Sequence, residues 1–202
     1  MKFLLSLTAV AFLLLPATFS FAESVPPLKE TDRILILAPH PDDETIGAAG
    51  IIQEAVARKL PVKVVYLTNG DSNELAFIVY EKRLVFKSSG AIAMGKLRHD
   101  EAIAAMSSLG VSPENMIFLG YPDAGTLTIF QQYWGVTAAP FKSLLTRVRN
   151  VPYQHSYSFG APYVGESILR DLKSVLLDFK PTRIFVSHPM VIMRTIVRFI
   201  FF

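Results

Sequence analysis

His40-Pro41-Asp42-Asp43-Glu44 puts an imidazole and three carboxylates into five consecutive positions. So dense a cluster of acids repels itself unless a cation binds there. His40 and Asp43 stand three apart, and in a helix-like turn such a pair lies on one side. A neutral imidazole nitrogen and a carboxylate oxygen are ordinary zinc ligands, and Pro41 stiffens the turn that presents them. Asp42 falls between the two and does not easily reach the same point, which leaves it as a carboxylate free to take a proton. That combination suits hydrolysis: a metal polarises a carbonyl and activates water, and Asp42 serves as general base. Glu44 reads as a first-turn helix charge favoured by the macrodipole.

Such a turn needs a rigid element on each side. Residues 33–39, with the apolar run Ile34-Leu35-Ile36-Leu37-Ala38, read as a buried strand. Residues 45–59 read as a helix with Ile46, Ala49, Ile52 and Val56 at helical spacing, stopped by Pro61. A second strand, 62–67, runs into the turn Thr68-Asn69-Gly70-Asp71. Part of 74–96 and all of 98–109 read as helical, the latter closed by Gly110. A third strand, 115–119, leads to Gly120-Tyr121-Pro122-Asp123. A helix over 167–179 stops before Pro181, and a fourth strand, 183–187, leads to His188-Pro189.

This alternation predicts an α/β fold, a Rossmann-like mostly parallel sheet with helices on both faces. Ligands bind such sheets beyond the carboxyl ends of the strands, and every chemically rich segment falls there. Residues 121–166 show no helix or strand pattern but carry Phe130, Tyr133, Trp134, Phe141, Tyr153, Tyr157, Phe159 and Tyr163. These aromatics either face sugar rings or cover a local core beneath a long loop.

The 202 residues suffice for one domain. Lys2, the apolar stretch Phe3 to Leu15, the breaker Pro16 and the small-x-small Ser20-Phe21-Ala22 read as a signal peptide over residues 1–22. The chain is therefore expected to be exported, periplasmic or secreted, without a membrane span after cleavage. Residues 23–31 read as a linker. The formal charge is +3, but the three excess cations, Lys2, Arg194 and Arg198, all lie in the first 22 or last 12 residues. Residues 23–190 are balanced, so no nucleic-acid partner is expected. With no cysteine, histidines and carboxylates must supply any metal ligands.

Ala38-Pro39-His40-Pro41-Asp42-Asp43-Glu44 resembles the signature of the PIG-L/LmbE-like family of zinc-dependent N-acetylglucosaminyl deacetylases. Arg98-x-x-Glu101 with Ala102, Ala105 and Leu109-Gly110 is similar to a second family segment. So are Phe118-Leu119-Gly120-Tyr121-Pro122-Asp123 and Pro181-Thr182-Arg183-Ile184-Phe185-Val186-Ser187-His188-Pro189. The resemblance runs over 32–190 in the family's order. It implies Zn2+ as cofactor, His40 and Asp43 as its ligands and Asp42 as the general base. It also implies Arg98 and Asp123 as substrate-binding residues and an N-acetylated amino sugar or glycoconjugate as substrate.

The family's third zinc ligand comes from a later His-x-Asp-His-like segment. Here residues 191–202 are apolar with two arginines and depart from the family. One base inserted in the Val191 codon is compatible with an Asp-His-Asn-Ala-Asp-His reading from there. The chain thus reads as a C-terminally truncated or frameshifted member whose domain is incomplete. His188 is a substitute third ligand, with His99, placed on a helix surface, and His155 as weaker ones. The alternative function is a catalytically inactive product that keeps at most weak metal or sugar binding.

Overall fold

The computed structural model describes residues 25–72, 87–135, 137 and 139–186. The proposed signal peptide, His188 and the tail lie outside the described residues. Among the described residues, four parallel strands form one sheet: β1 (Ile34–Ala38), β2 (Val62–Thr68), β3 (Met116–Tyr121) and β4 (Arg183–Val186), in the order β3-β2-β1-β4. The helices are α1 (Asp43–Ala57), α2 (Ser88–Ser108), α3 (Thr126–Gln132) and α4 (Gly165–Phe179).

Side chains alternate across the sheet, as a period of two demands. Ile34, Ile36, Ala38, Val62, Val64, Tyr66, Met116 and Phe118 face one core, closed by Ala48, Ile52 and Ala55 of α1 and by Ala102 and Met106 of α2. Leu35, Leu37, Val65, Leu67, Leu119 and Tyr121 face the other, closed by Ile129 of α3 and by Ile168, Leu172, Val175 and Phe179 of α4. Helices thus cover both faces, and β1, buried along its whole length, is one of the two inner strands. The chain runs outward from β1 to β2 to β3 and then returns to the far side of β1 with β4. That reversal is the topological switch point at which doubly wound sheets bind ligands.

The buried face of α1 keeps Ile52 and Val56 of the expected positions but not Ile46. Glu44, Ala48, Ile52 and Ala55 face inward, while Ile46 is 83% exposed. Glu44 is not simply a surface charge near the helix start. It is 1% exposed and its carboxylate accepts the Asp42 amide at 2.9 Å and the Thr45 hydroxyl at 3.0 Å. Capping the turn therefore takes the position an apolar residue would otherwise fill.

The helix expected within 74–96 and the one expected over 98–109 are a single helix from Ser88, and residues 74–86 lie outside the described residues. Residues 121–166 are not wholly irregular, because α3 forms within them. Its seven residues are too few for an amphipathic period to stand out in sequence. The reading of the aromatics as a local core holds for Tyr153 and Tyr163, which are buried, and for Phe130 and Phe141, which pack against the second core. Tyr157 and Phe159 remain exposed. The segment read as a linker is irregular but fastened where it is described: Leu28 enters the first core, and Arg183 donates to the carbonyls of Pro26 and Pro27 at 2.8 and 2.9 Å.

Candidate metal and active site

The turn after β1 holds His40 at the sheet's carboxyl edge. Its backbone amide donates to Asp43 Oδ2 at 3.0 Å, and its Nδ1 lies 3.3 Å from the same oxygen. Its Nε2 meets Asp123 Oδ1 at 2.8 Å. Two carboxylates therefore grip one imidazole. Burial alone would depress His40, but the bonds and charges of Asp123 and Asp43 outweigh it and raise the ring to about 9. For Asp123, burial works upward, yet the bond and charge of His40 and the amides of Ala124 and Ser72 bring the carboxyl below its usual range.

Asp42 sits at the N-cap of α1 with φ of 120°, a conformation that L side chains rarely adopt. Strain of this kind persists only where the surroundings enforce it, and here they are explicit. Glu44 holds the Asp42 amide. Arg98 Nη2 donates to Asp42 Oδ2 at 2.8 Å and also to the Pro41 carbonyl, and Arg98 Nη1 donates to the Gly70 carbonyl at 3.3 Å. Arg98 lies on the inward face of α2 in line with Met94 and Ala102, so its guanidinium is delivered into the turn. A Cβ at Gly70, where φ is +66°, would fall 1.9 Å from Arg98 Nη1. Glycine there lets two turns share one guanidinium. Burial nonetheless leaves Asp42 above its usual range, with Arg98 pulling the other way.

Asp123 is set by the turn after β2. Its amide donates to Asp71 Oδ1 at 3.2 Å, and Ser72 N donates to Asp123 Oδ2 at 3.3 Å. Thr68 ties the turns together: its amide and its hydroxyl both donate to the Pro39 carbonyl at 3.0 Å. Tyr153, from the long loop, donates its hydroxyl to Asp71 Oδ2 at 2.7 Å. Asp71 is 2% exposed, and burial pushes it up to about 7 although the Tyr153 hydroxyl draws it down. A cavity of about 320 Å³ opens beside Asp42 and Arg98, between Ile46 of α1 and Ala102 and Ala105 of α2.

The five site residues expected from sequence thus converge in two linked groups, His40 with Asp43 and Asp123, and Asp42 with Arg98. Asp71 and Tyr153 were not expected there. The TNGD turn marked Asp71 only by its place at a strand end, and no local pattern sets Tyr153 apart from the other loop aromatics. His99 and His155 stand together, their ring centroids 3.6 Å apart. His99 is half-buried against Phe118 and not on a free helix surface. His155 Nε2 meets the Asn69 amide at 3.1 Å, and burial with the neighbouring His99 lowers His155 to about 4.

The donor chemistry at His40 and Asp43 suits a divalent metal in part. Two donors on one tetrahedral zinc stand about 3.3 Å apart, and the observed separation of Nδ1 and Oδ2 is 3.3 Å. A carboxylate on the other ring nitrogen, here Asp123, is the usual orienting partner of a metal-binding histidine. The two carboxylates that flank this imidazole also favour a cation beside it. Among the described residues, however, no group of three or more His, Asp or Glu side chains is disposed to hold a metal ion. The structure thus supplies a donor pair.

A doubly wound α/β sheet with an acid-rich, histidine-bearing turn at its switch point defines the class of a ligand-binding α/β domain. Residues 35–194 match the PIG-L family, GlcNAc-PI de-N-acetylase, and the chain belongs to that family. It is 37% identical over 82 residues to the 1D-myo-inositol 2-acetamido-2-deoxy-alpha-D-glucopyranoside deacetylase of Mycolicibacterium smegmatis (strain ATCC 700084 / mc(2)155), covering 41% of this chain and 27% of the relative. The enzyme of the same name from Mycobacterium sp. (strain KMS) is 36% identical over 90 residues, covering 45% of this chain and 28% of the relative. The matches thus span little more than a quarter of those curated relatives. Among solved structures, the N,N'-diacetylchitobiose deacetylase from Pyrococcus horikoshii superposes with a TM-score of 0.50 at 19% identity, over 80% of this chain and 42% of that one. That likeness concerns the fold.

Proposed function

We propose that this protein is a metal-dependent hydrolase that removes acetyl from an N-acetylated amino sugar or glycoconjugate, with zinc as its metal. The observation that carries the proposal is the turn after β1. It offers His40 and Asp43 as a donor pair 3.3 Å apart and sets Asp42 beside them on a strained backbone pinned by Arg98. Family membership and the curated relatives, named as deacetylases of an acetamido-glucopyranoside, support the substrate class.

His40 and Asp43 would hold the zinc, which supplies a Lewis acid for the acetamide carbonyl. Asp42 takes a proton from the attacking water and returns it to the departing nitrogen as the C–N bond breaks, so that acetate and a free amine leave. Arg98 keeps Asp42 aimed, and Asp123 keeps the His40 ring turned. Arg98 and Asp123 also border the sugar, in addition to the protein bonds they already make. Residues 1–22 would direct the chain to export, and among the described residues no helix is long and apolar enough to cross a membrane.

The test is zinc stoichiometry together with acetate release from N-acetylglucosaminyl substrates, measured on purified protein. One tightly bound zinc per chain, with turnover that vanishes in Asp42→Asn while the zinc stays, is the expected result. No zinc uptake, or zinc uptake without turnover, overturns the proposal in favour of a non-catalytic product.

A further inference from the structure

We propose that Tyr153 is a positioning residue of this centre, acting through Asp71 on Asp123 and so on His40. The inference rests on the deacetylase reading above. Its physical basis is the state of Asp71. That carboxylate is 2% exposed. Its Oδ2 accepts the Tyr153 hydroxyl at 2.7 Å and its Oδ1 accepts the Asp123 amide at 3.2 Å. A buried acid that loses a donor leaves an unsatisfied oxygen, which is more costly than the bond itself was worth. It then turns or takes up a proton. Turning frees the Asp123 amide and protonation at Oδ2 weakens its bond to Oδ1, and Asp123 is the residue whose Oδ1 orients His40 through Nε2 at 2.8 Å.

Tyr153 is seated for this role. It is 3% exposed, and its hydroxyl passes over α2 at Gly95, where a Cβ would fall 2.3 Å from the oxygen. Only the absence of a side chain at Gly95 allows the ring to reach Asp71. The loop thereby links the second core to the metal-binding edge. Tyr163 offers an internal contrast. It comes from the same long loop and is also buried, in the second core, and its hydroxyl has no hydrogen-bond partner among the described residues.

Removing the outer partner of a metal ligand typically costs 10–100-fold in metal affinity or activity. For Tyr153→Phe, two steps beyond that partner, zinc affinity measured by chelator competition is expected to weaken by about 10-fold, the lower end of that range. At saturating zinc, kcat is expected to fall by about 10-fold or more with KM within about twofold, since Tyr153 does not touch the substrate. Tyr163→Phe, which removes a hydroxyl of no bond, is expected to match the parent in all three. A merely structural Tyr153 would lower the melting temperature and leave zinc affinity and zinc-saturated kcat alone, which overturns the proposal. Equal losses in Tyr163→Phe would overturn it too. A parent protein with neither zinc nor turnover overturns the deacetylase reading and this inference together. That outcome differs from an active, zinc-binding parent matched by Tyr153→Phe, which removes only the inference.

Discussion

Asp42 and Asp71 each occupy the turn beyond the carboxyl end of a strand, the first after β1 and the second after β2. The Asp42 side chain is 53% exposed, and a guanidinium holds it at 2.8 Å. Asp71 is buried and accepts a phenol hydroxyl and a backbone amide. Burial raises both pKa values, but Asp42 has Arg98 to oppose the shift, whereas Asp71 reaches about 7. The contrast separates two uses of a carboxylate. One, in the proposed function the group that meets the substrate, is left open and paired with a fixed cation. One that must hold a neighbour is enclosed and given donors. The backbone agrees, since the strained φ belongs to the exposed residue of the pair.

Four substitutions break or sharpen that contrast. Asp42→Asn has the largest expected effect. It preserves shape and removes the base, so kcat should drop by about 10²–10⁴-fold with zinc content unchanged, read by steady-state kinetics and metal analysis. Gly70→Ala attacks the open carboxylate indirectly. Its Cβ would meet Arg98 Nη1, and a displacement of about 1 Å at a catalytic group costs on the order of 10²-fold. The positive φ adds a stability loss of about 1 kcal/mol or more, visible in thermal melting.

Asp71→Asn tests the enclosed carboxylate through pH. The folded state raises Asp71 from its ordinary value near 3.8 to about 7, so it binds a proton that the unfolded chain has released. Stability should therefore fall as pH rises between those values, and the asparagine variant should lack that part of the fall in denaturant titrations at several pH values. The smallest effect on catalysis is expected in the second core, which the Tyr121 side chain enters. Tyr121→Phe removes a 2.8 Å hydrogen bond to buried Asp171. It should cost about 1–3 kcal/mol of stability and leave kcat unchanged.

Much of the architecture could be read from the chain. Strand runs such as Ile34 to Ala38 and Val62 to Leu67 are short, apolar and bounded by turn residues, and each formed where its pattern placed it, to within a residue or two. α4 carries a strong apolar stripe and was equally plain. α3 escaped because seven residues make too little pattern. The inward face of α1 was misjudged at its start because Glu44, and not an apolar side chain, occupies its first inward position. In the site, the HPDDE turn announced itself, since five adjacent residues carry its chemistry.

What the sequence alone determined is therefore local: a strand-turn-helix unit with an imidazole and carboxylates at its bend, repeated strand ends with polar turns, and the family that these segments resemble. Only the tertiary structure decided the partners. His40 meets Asp123 across 83 positions, Arg98 meets Asp42 across 56, and Tyr153 meets Asp71 across 82. Spacing in a chain constrains contacts within a turn or a helix. Contacts between strand ends depend on strand order and register, which side-chain periodicity does not encode, so the division of labour between the open and the enclosed carboxylate emerges with the packed sheet.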